Sequence, residues 1–395
     1  MPTYPILTLQ PDREVHLKNR HHALFRPAVE PASLKEVENG CVAEVRSSTG
    51  EFLCYATVNT RSYICARAIS FEEGDPLASL KRYMKRAVDL RRHFFLNEDT
   101  TALRLINAEG DAIPGLIVDQ YADILVLQLT TLGMDRLRPW IVKTLEELCA
   151  PAAMFEKSTG PSRKKEGLEG REGWIKGKGP DRIEVKERGM KFLIDLAGSQ
   201  KTGLFLDQRE MRSLVRSLAP GRTVLDCCSY VGGFSLSALM GGAIAADAVD
   251  YDEAALARAQ EHMTLNGITH DQFGSYKEDV FDFLRRRPLP RQYDFIILDP
   301  PAFARRSSDL TQAKGAYTDM NRMAMQILPP GSLLLTCSCS FQIDTATFQT
   351  IVFHAARQAD RSVRILQRHR HAFDHPVNIY HPETDYLKSL LLWIE

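Results

Sequence analysis

The sequence predicts an α/β protein whose carboxyl-terminal half is a doubly wound parallel sheet. From Gly221 onward, apolar strand-like segments alternate with helical ones, which is the pattern of a parallel sheet with crossover helices. Two of the apolar runs, 295–298 and 333–336, end abruptly at Asp299-Pro300-Pro301 and at Cys337-Ser338-Cys339. In an open parallel sheet, ligands bind at the carboxyl ends of the strands. Reactive and rigid residues at two such ends therefore indicate a functional site.

The elements of this half follow one another with short connections. In chain order, the predicted elements are strand Thr223–Asp226, helix Phe234–Met240, strand Ile244–Val249, helix Glu253–Leu265, strand Phe273–Lys277, helix Val280–Arg286, strand Asp294–Leu298, helix Tyr317–Ile327 and strand Ser332–Thr336. The continuous apolar character of several of these strands is typical of a sheet covered by helices on both faces.

The amino-terminal half has a different pattern. Short β-rich segments at 42–46, 51–58 and 62–70, with the turn Ser47-Ser48-Thr49-Gly50, predict a small barrel. The next predicted element is the helix Asp75–Leu96, in which Leu77, Leu80, Met84, Val88 and Leu90 lie near one face. It is followed by the strands Thr101–Asn107, Leu116–Gln120 and Ile124–Leu129, the helix Met134–Cys149, a polar loop over Thr159–Arg182, strands within Arg182–Ala197 and the helix Asp207–Leu218.

Composition excludes several classes of protein. The 395 residues carry 50 basic and 50 acidic side chains, so net charge alone gives no support for nucleic-acid binding, although basic residues are locally clustered. No apolar run approaches the roughly 20 residues of a membrane span, and the amino terminus lacks a secretory signal pattern. The eight cysteines have neither disulfide nor metal-ligand spacing, which favours reduced thiols in the cytoplasm and no metal site.

A cofactor site is predicted at the first strand–helix turn. The run from Asp226 through Ser229, Tyr230 and Gly232 joins a strand to a helix start, where backbone N–H groups can meet a ligand. Tight strand–helix turns also need glycine for steric reasons alone. The next two strands have acidic residues at or near their ends. Asp250 could accept hydrogen bonds from the ribose hydroxyls and Asp279 from the adenine amino group, although each could instead be a helix cap. Asp247, which lies within the same strand as Asp250, competes with it for the ribose role.

A second set of residues predicts chemistry on a planar base. Asp299 could hold the hydrogen-bonding edge of the base while Phe303 stacks on it, although a turn with a buried phenylalanine would look the same. Cys339 is the preferred nucleophile because it lies further beyond the strand end than Cys337. Both cysteines could instead be small buried core residues.

These motifs together resemble one family. Lys201-Thr202-Gly203 through Asp207-Gln208-Arg209, Ser229 to Phe234, Asp299-Pro300-Pro301 and Ser338-Cys339-Ser340 are similar to the bacterial large-subunit rRNA 5-methylcytosine methyltransferases of the RlmI type. Arg163-Lys164-Lys165-Glu166-Gly167 resembles the family too, and 20–25 does so more weakly. The likeness extends over nearly the whole chain.

The resemblance implies three domains. They are an N-terminal PUA-like β-barrel that binds RNA (1–73), a linker helix with a small central α/β domain of EEHEE-like order (74–198), and a Rossmann-like class I S-adenosylmethionine methyltransferase domain (199–395). It also implies S-adenosylmethionine as the cofactor and large-subunit ribosomal RNA as the partner, and it leans towards a homodimer.

The resemblance assigns roles to individual residues as well. Cys339 becomes the nucleophile, Asp299 a catalytic and cofactor-side carboxyl, and Gln208 a cofactor contact. The implied substrate or RNA contacts are Arg163, Lys164, Lys165, Phe303 and Arg209. Two positions depart from the family pattern: Ala302 replaces a frequent lysine, which Arg305 or Arg306 could substitute, and Phe341 replaces a usual glycine.

The implied chemistry agrees with the residue types. Cytosine C5 becomes nucleophilic only after a group such as a thiolate adds to C6, and the base must leave its stack to reach a pocket. Two alternatives stay open: a methyltransferase acting on a guanine nitrogen, and a non-catalytic RNA-binding factor of ribosome assembly. A dehydrogenase is disfavoured because the chain lacks the full dinucleotide fingerprint.

Overall fold

The computed structural model describes residues 4–95, 99–197, 202–304 and 306–395. Leu96, Lys201 and Arg305, which the sequence analysis names, lie outside these residues. The chain divides into two compact units. Unit one comprises Met1–Val185, Ile194–Leu206 and Phe373–Thr384, and unit two comprises Lys186–Leu193, Asp207–Ala372 and Asp385–Glu395. In the described residues, no helix is both long and apolar enough to cross a membrane.

Unit one begins with a five-stranded sheet in the order β1-β3-β4-β5-β2. Its elements are β1 Ile6–Thr8, α1 Val15–Lys18, β2 Ala23–Phe25, α2 Pro31–Lys35, β3 Val42–Arg46, β4 Phe52–Val58 and β5 Ile64–Ser70. The three predicted strands are β3, β4 and β5, whereas the three-residue β1 and β2 were missed. The buried face of this sheet centres on Leu7, Val45 and Cys65.

A second five-stranded sheet of unit one has the order β10-β9-β8-β7-β6. Its elements, with the helix before it, are α3 Pro76–Phe95, β6 Ala102–Asn107, β7 Leu116–Tyr121, β8 Ile124–Leu129, α4 Leu132–Arg136, α5 Arg138–Cys149, β9 Ala153–Ser158, α6 Pro161–Lys165 and β10 Arg171–Lys176. The hairpin that follows, β11 Arg182–Glu187 and β12 Met190–Asp195, has residues in both units. Leu80, Met84 and Val88 of α3 are buried in the core beside this sheet.

Three local predictions for this region were wrong. The stretch Thr159–Arg182 is not a loop, because it contains α6 and the edge strand β10, which pairs with β9. The helix expected over 134–149 is two helices, since Pro139 near the start of α5 cannot continue the hydrogen bonding of α4. Leu90 of α3 is exposed rather than packed with the other apolar residues of that helix.

Unit two contains a seven-stranded sheet in the order β15-β14-β13-β16-β17-β19-β18. Its elements are α7 Arg209–Leu218, β13 Thr223–Cys227, α8 Gly233–Met240, β14 Ala245–Asp250, α9 Glu253–Leu265, β15 Phe273–Lys277, α10 Val280–Arg285, β16 Phe295–Leu298, α11 Leu310–Ile327, β17 Ser332–Ser338, α12 Thr345–Gln358, β18 Val363–His369 and β19 Lys388–Ile394. The five strands from β15 to β17 are parallel, and β19 is inserted antiparallel to both β17 and β18.

The strand order reverses between β13 and β16. The chain runs from β13 outward to β15, and then returns to the other side of β13 with β16. This reversal opens a crevice at the carboxyl ends of the two strands, which is where ligands bind in sheets of this type. The predicted α/β class with a doubly wound sheet is therefore confirmed, and the antiparallel pair β18–β19 is an addition that the sequence analysis did not identify.

A buried ion cluster fixes α7 in unit two. Both carboxylate oxygens of Glu187 accept hydrogen bonds from Arg212, each at 2.6 Å, and Oε2 also accepts from Arg209 Nε at 3.3 Å. Glu187 and Arg209 have no solvent exposure, and Arg212 has 2%. Because a buried charge is tolerated only with a partner, this shared carboxylate allows a helix with two inward-facing arginines to pack.

We expect Glu187→Gln to destabilise the protein by about 3 kcal/mol, since two buried guanidinium groups then lose the negative charge they share. The midpoint of urea unfolding measures this loss. The matched control is Glu210→Gln, which removes a partly exposed partner of Arg188 and should cost less than about 1 kcal/mol. Equal midpoints for the two variants would contradict the structural role given to Glu187.

Candidate active site

The turn after β13 has an unusual backbone. Cys228, Tyr230 and Gly232 have positive φ values of 58°, 49° and 71°, so the chain reverses tightly before α8 begins. A Cβ atom on Gly232 would also lie 2.8 Å from Cβ of Ala259 on α9. Glycine is therefore required at this position by conformation and by packing. The turn brings the first backbone N–H groups of α8 to the crevice between β13 and β16.

Asp226 is fully buried at the end of β13. Its Oδ2 accepts hydrogen bonds from the Ser235 backbone N–H at 2.9 Å and from the Ser235 hydroxyl at 2.8 Å. Burial raises the pKa of this carboxyl to about 7 from its ordinary 3.8, and the nearby Asp299 and Asp250 act in the same direction. The carboxyl thus anchors α8 to the strand end, so it orients the turn that was predicted to hold the cofactor.

Asp250 is the last residue of β14, and Asp279 lies just after the end of β15, as the sequence predicted. Asp250 accepts hydrogen bonds from the backbone N–H groups of Tyr230, at 2.8 Å, and Asp252, at 2.9 Å. Asp279 is exposed and caps α10 by accepting from the N–H groups of residues 281 and 282. Each carboxylate uses two of its roughly four acceptor positions in these contacts, so each can still accept hydrogen bonds from a ligand.

The competitor Asp247 has a structural environment. It is fully buried within β14, accepts a hydrogen bond from the Tyr293 hydroxyl at 2.6 Å, and pairs with Arg291 Nε at 3.2 Å. Asp250 is half-buried and stands at the strand end. This difference in burial supports the preference for Asp250 as the ribose contact.

One buried polar atom in the turn fits a cofactor. Within the described residues, the hydroxyl of Ser229 is buried and has no hydrogen-bond partner. Buried polar groups in native proteins are rarely left unsatisfied, and a bound ligand is one way to satisfy them. The donor and acceptor set of Ser229, Asp250, Asp279 and the α8 backbone is what a ribose, an adenine and a charged amino-acid group would require.

The chemical half of the site begins at the end of β16. Gln208 Nε2 donates a hydrogen bond to Asp299 Oδ1 at 2.9 Å, which fixes the orientation of this half-buried carboxyl. Pro300 is buried, and its carbonyl oxygen lies 3.9 Å from Cys339 Sγ. The ends of β16 and β17 thus bring Asp299, Gln208 and Cys339 to one region of unit two.

The two cysteines of the Cys-Ser-Cys run differ in environment. Cys337 is fully buried within β17, and burial raises the pKa of its thiol well above the usual range. Cys339 lies beyond the end of the strand and is half-buried. A nucleophilic cysteine must reach its thiolate form and contact the substrate. The structure therefore favours Cys339 over Cys337 for that role.

The loop that carries Cys339 is held by residues that the sequence analysis missed. The Ser340 hydroxyl lies 3.1 Å from the Tyr317 hydroxyl and accepts from the Ala304 N–H at 3.3 Å. Lys388 Nζ donates to the carbonyl oxygens of Ser340 and Tyr386, each at 2.7 Å. No local pattern could have identified Lys388, because only the antiparallel pairing of β17 with β19 brings it to this loop.

The aromatic side chains of the site have two environments. Phe303 is half-buried, and its ring centroid lies 4.7 Å from that of Tyr317. Phe341, at the position where the family usually has glycine, is 57% exposed directly after the Ser-Cys-Ser run. Phe303 therefore has a packing role inside unit two in addition to the stacking role predicted for it, whereas Phe341 presents an open aromatic surface.

The predicted RNA contacts separate by burial. Arg163 is buried in unit one, where it donates to the Leu129 carbonyl at 2.6 Å and pairs with Asp135 at 2.9 Å. Arg209 is buried in unit two in the Glu187 cluster. A guanidinium held internally cannot reach a phosphate, so the expectation of a direct RNA contact is corrected to a structural role for both. Lys164 and Lys165 are exposed at the end of α6.

Known proteins similar to this chain indicate its family. Residues 132–391 match a family described as S-adenosylmethionine-dependent methyltransferase, and residues 7–71 match one described as PUA-like domain. The ribosomal RNA large subunit methyltransferase I of Erwinia tasmaniensis is 38% identical over 387 residues, which cover 97% of this chain and 98% of that protein. The protein of the same name from Shewanella denitrificans is 35% identical over 389 residues, 98% of each chain.

Solved structures show the same fold. SMU.776, complexed with SAH, matches with a TM-score of 0.84 at 24% identity over 98% of this chain and 99% of that one. A SAM-dependent methyltransferase from Agrobacterium tumefaciens matches with a TM-score of 0.51 at 21% identity, over 75% of this chain and 90% of that one. At such identities the likeness establishes the fold alone. Together with the family matches, it confirms the predicted S-adenosylmethionine methyltransferase fold and cofactor.

The raised pKa of Asp226 predicts a pH dependence of stability. The unfolded chain loses this proton near pH 4, and the folded protein loses it near pH 7, so stability falls as the pH rises through this window. Asp226→Asn cannot titrate. Its free energy of unfolding, relative to that of the wild type, should therefore rise by up to about 4 kcal/mol between pH 4 and pH 8. Urea unfolding at a series of pH values tests this, and a difference that does not vary with pH would contradict it.

Proposed function

The chain belongs to the S-adenosylmethionine-dependent methyltransferase family of ribosomal RNA large subunit methyltransferase I, and from this premise we propose that it methylates C5 of a cytosine in large-subunit ribosomal RNA. The observation that carries the proposal is the position of Cys339. Its half-buried thiol stands beyond the end of β17, beside the loop that follows β16 and close to the hydrogen-bonded Asp299. A methyltransferase acting on a guanine nitrogen needs no such thiol.

Cys339 starts the proposed reaction as a thiolate. Its sulfur forms a bond to C6 of the cytosine, and the electron pair of the C5–C6 double bond moves towards C5 and the ring. Asp299 holds the N3 and amino edge of the base, and a proton shared between its carboxyl group and N3 offsets the negative charge that the addition produces. Gln208, through its hydrogen bond to Asp299, keeps that carboxyl turned in one direction.

Cofactor binding is assigned to the turn after β13 and the two strand ends beside it. The α8 backbone and Ser229 would meet the amino-acid part, Asp250 the ribose and Asp279 the adenine, while Asp226 and Gly232 shape the turn. When bound, S-adenosylmethionine supplies an electrophilic methyl group to C5 and leaves as S-adenosylhomocysteine. Loss of the C5 proton to a base and departure of the Cys339 sulfur from C6 then restore the aromatic ring and the free enzyme.

RNA binding is assigned to the amino-terminal part of the chain. We propose that residues 1–73 form the PUA-like RNA-binding domain, that 74–198 form the central domain, and that 199–395 form the catalytic domain. Within the segment 163–167, which resembles the family, Lys164 and Lys165 are exposed cations, so we propose that they contact RNA phosphates. The cytoplasm, where thiols stay reduced, is the matching location. A homodimer remains part of the proposal, to be tested by light scattering.

The covalent intermediate gives the decisive test of the proposed function. RNA that contains 5-fluorocytosine at the target cannot lose a proton from C5, so it should stay bonded to the wild-type protein in the presence of S-adenosylmethionine. Cys339→Ala should form no such complex and should methylate RNA no faster than a reaction without enzyme. The matched control, Cys337→Ser, should retain both properties.

Nucleoside analysis of the methylated RNA identifies the acceptor directly. The expected product is 5-methylcytidine. Full activity of Cys339→Ala, or a methylated guanosine as the product, would contradict the proposal and favour the guanine alternative.

The exposed lysines of α6 predict a salt dependence. Replacing both Lys164 and Lys165 by alanine should weaken RNA binding and reduce the slope of log affinity against log salt concentration by about 2, because each lysine releases roughly one counterion. Filter binding at several salt concentrations measures the slope. Lys176→Ala, which removes a partly exposed lysine paired with Glu146, is the control and should leave the slope nearly unchanged. An unaltered slope in the double variant would contradict the proposal that these lysines contact RNA phosphates.

A further inference from the structure

Lys388 is a buried cation at the base of the loop that carries Cys339. It is the first residue of β19, where it pairs in register with Ser338, the last residue of β17. Only 5% of its surface is exposed. Lysines are almost never buried to this extent unless they are paired, because the ammonium group loses its hydration. A lysine at this place therefore requires an explanation from its surroundings.

Two backbone carbonyl groups form hydrogen bonds with the ammonium group of Lys388. Nζ donates to the carbonyl oxygens of Ser340 and Tyr386, each at 2.7 Å. Within the described part of the chain, no carboxylate forms an ion pair with Nζ at 4.0 Å or less, so two neutral acceptors are its closest partners. Ser340 directly follows Cys339, so the ammonium group fixes the backbone on one side of the nucleophile.

The electrostatic surroundings connect Lys388 with the thiol. Burial lowers the pKa of Lys388, and the strongest opposing influence comes from Cys339, ahead of the carboxylates of Asp385 and Asp344. The attraction is mutual, since a cation that is stabilised by a thiolate also stabilises that thiolate. Among the described residues, the other titratable groups of this region include Asp299 after β16, Tyr317 and Lys314 on α11, Cys337 in β17 and Tyr386 before β19.

We propose that Lys388 is a positioning residue that holds the Ser-Cys-Ser loop through the Ser340 carbonyl and favours the thiolate form of Cys339. The inference rests on the proposed function only in taking Cys339 as the nucleophile. The carboxylates of Asp344 and Asp385, which act on Lys388 together with Cys339, disfavour a further negative charge in the same region. Lys388 supplies a compensating positive charge from a buried position at the base of the loop.

Alkylation of Cys339 tests the proposal without RNA or cofactor. The full-length protein is treated with iodoacetamide at a series of pH values, and mass spectrometry of the peptide that contains both cysteines follows modification at Cys339. Lys388→Met removes the charge at nearly constant volume. The half-maximal rate should then move to a pH about one unit higher, so that alkylation near neutral pH is about tenfold slower. Lys388→Arg keeps the charge and should alkylate with a midpoint close to that of the wild type.

Matched variants separate this effect from a general loss of structure. Lys277→Met removes an exposed charge from β15, the edge strand five positions away from β19 in the sheet order, and should leave the midpoint unchanged. Asp344→Asn keeps the cap of α12, because asparagine caps as well as aspartate, but it removes an anion near Lys388 and should move the midpoint to lower pH. If Lys388→Met does not fold, Lys388→Gln decides, because glutamine keeps a hydrogen-bond donor beneath the loop but carries no charge, so it should raise the midpoint in the same way. An unchanged midpoint in a folded variant that lacks the charge at position 388 overturns the proposal.

The pH dependence of methylation is a second test, because a merely structural role of Lys388 would lower kcat equally at every pH. In Lys388→Met, kcat should fall about tenfold near neutral pH and recover at higher pH, whereas KM for RNA should stay unchanged. A loss of kcat that is the same at every pH would contradict the proposal. Failure of the proposed function would appear separately, as absence of the 5-fluorocytosine complex with the alkylation profile still dependent on Lys388.

Discussion

The parallel pairing of β13, β16 and β17 is the constraint on which the site depends. In this register Cys227 lies beside Leu298, and Leu298 lies beside Thr336, so the three strands end at the same edge of the sheet. These strands are almost entirely buried and strongly apolar. A shift by one residue would exchange the faces of every side chain, which makes the register hard to alter. The loops that carry Asp299 and Cys339 therefore emerge next to the turn that is proposed to bind the cofactor.

Hydrogen bonds from side chains to neighbouring loops then set the orientation of these segments. Asp226 anchors the start of α8, Asp250 holds the backbone of Tyr230, and Gln208 orients Asp299. Each of these side chains uses some of its hydrogen-bonding positions within the protein, and its other positions can bind a ligand. These hydrogen bonds already hold the side chains in place without a ligand, which reduces the ordering that binding would otherwise require.

Sequence patterns predicted the elements whose signals are local. The apolar runs of β16 and β17, the glycine turn before α8 and the acidic residues at the ends of β14 and β15 were all identified, because each depends on residues close together in the chain. The pair β18–β19 was missed, since an antiparallel strand inserted into a parallel sheet has no local signature. Likewise, β10 has no clear alternation of apolar and polar residues, and its strand conformation depends on pairing with β9.

Charged side chains were the least predictable part of the site, because their role depends on burial. Arg163 and Arg209 have the residue type expected of RNA contacts, yet both are enclosed with carboxylate or carbonyl partners, whereas the adjacent Lys164 is exposed. Lys388 is the opposite case, since it lies in no motif and is brought beneath the Cys339 loop by β19. In the proposed mechanism, the cation beside Cys339 is thus supplied by tertiary structure, and a cysteine motif alone does not define the reactivity of its thiol.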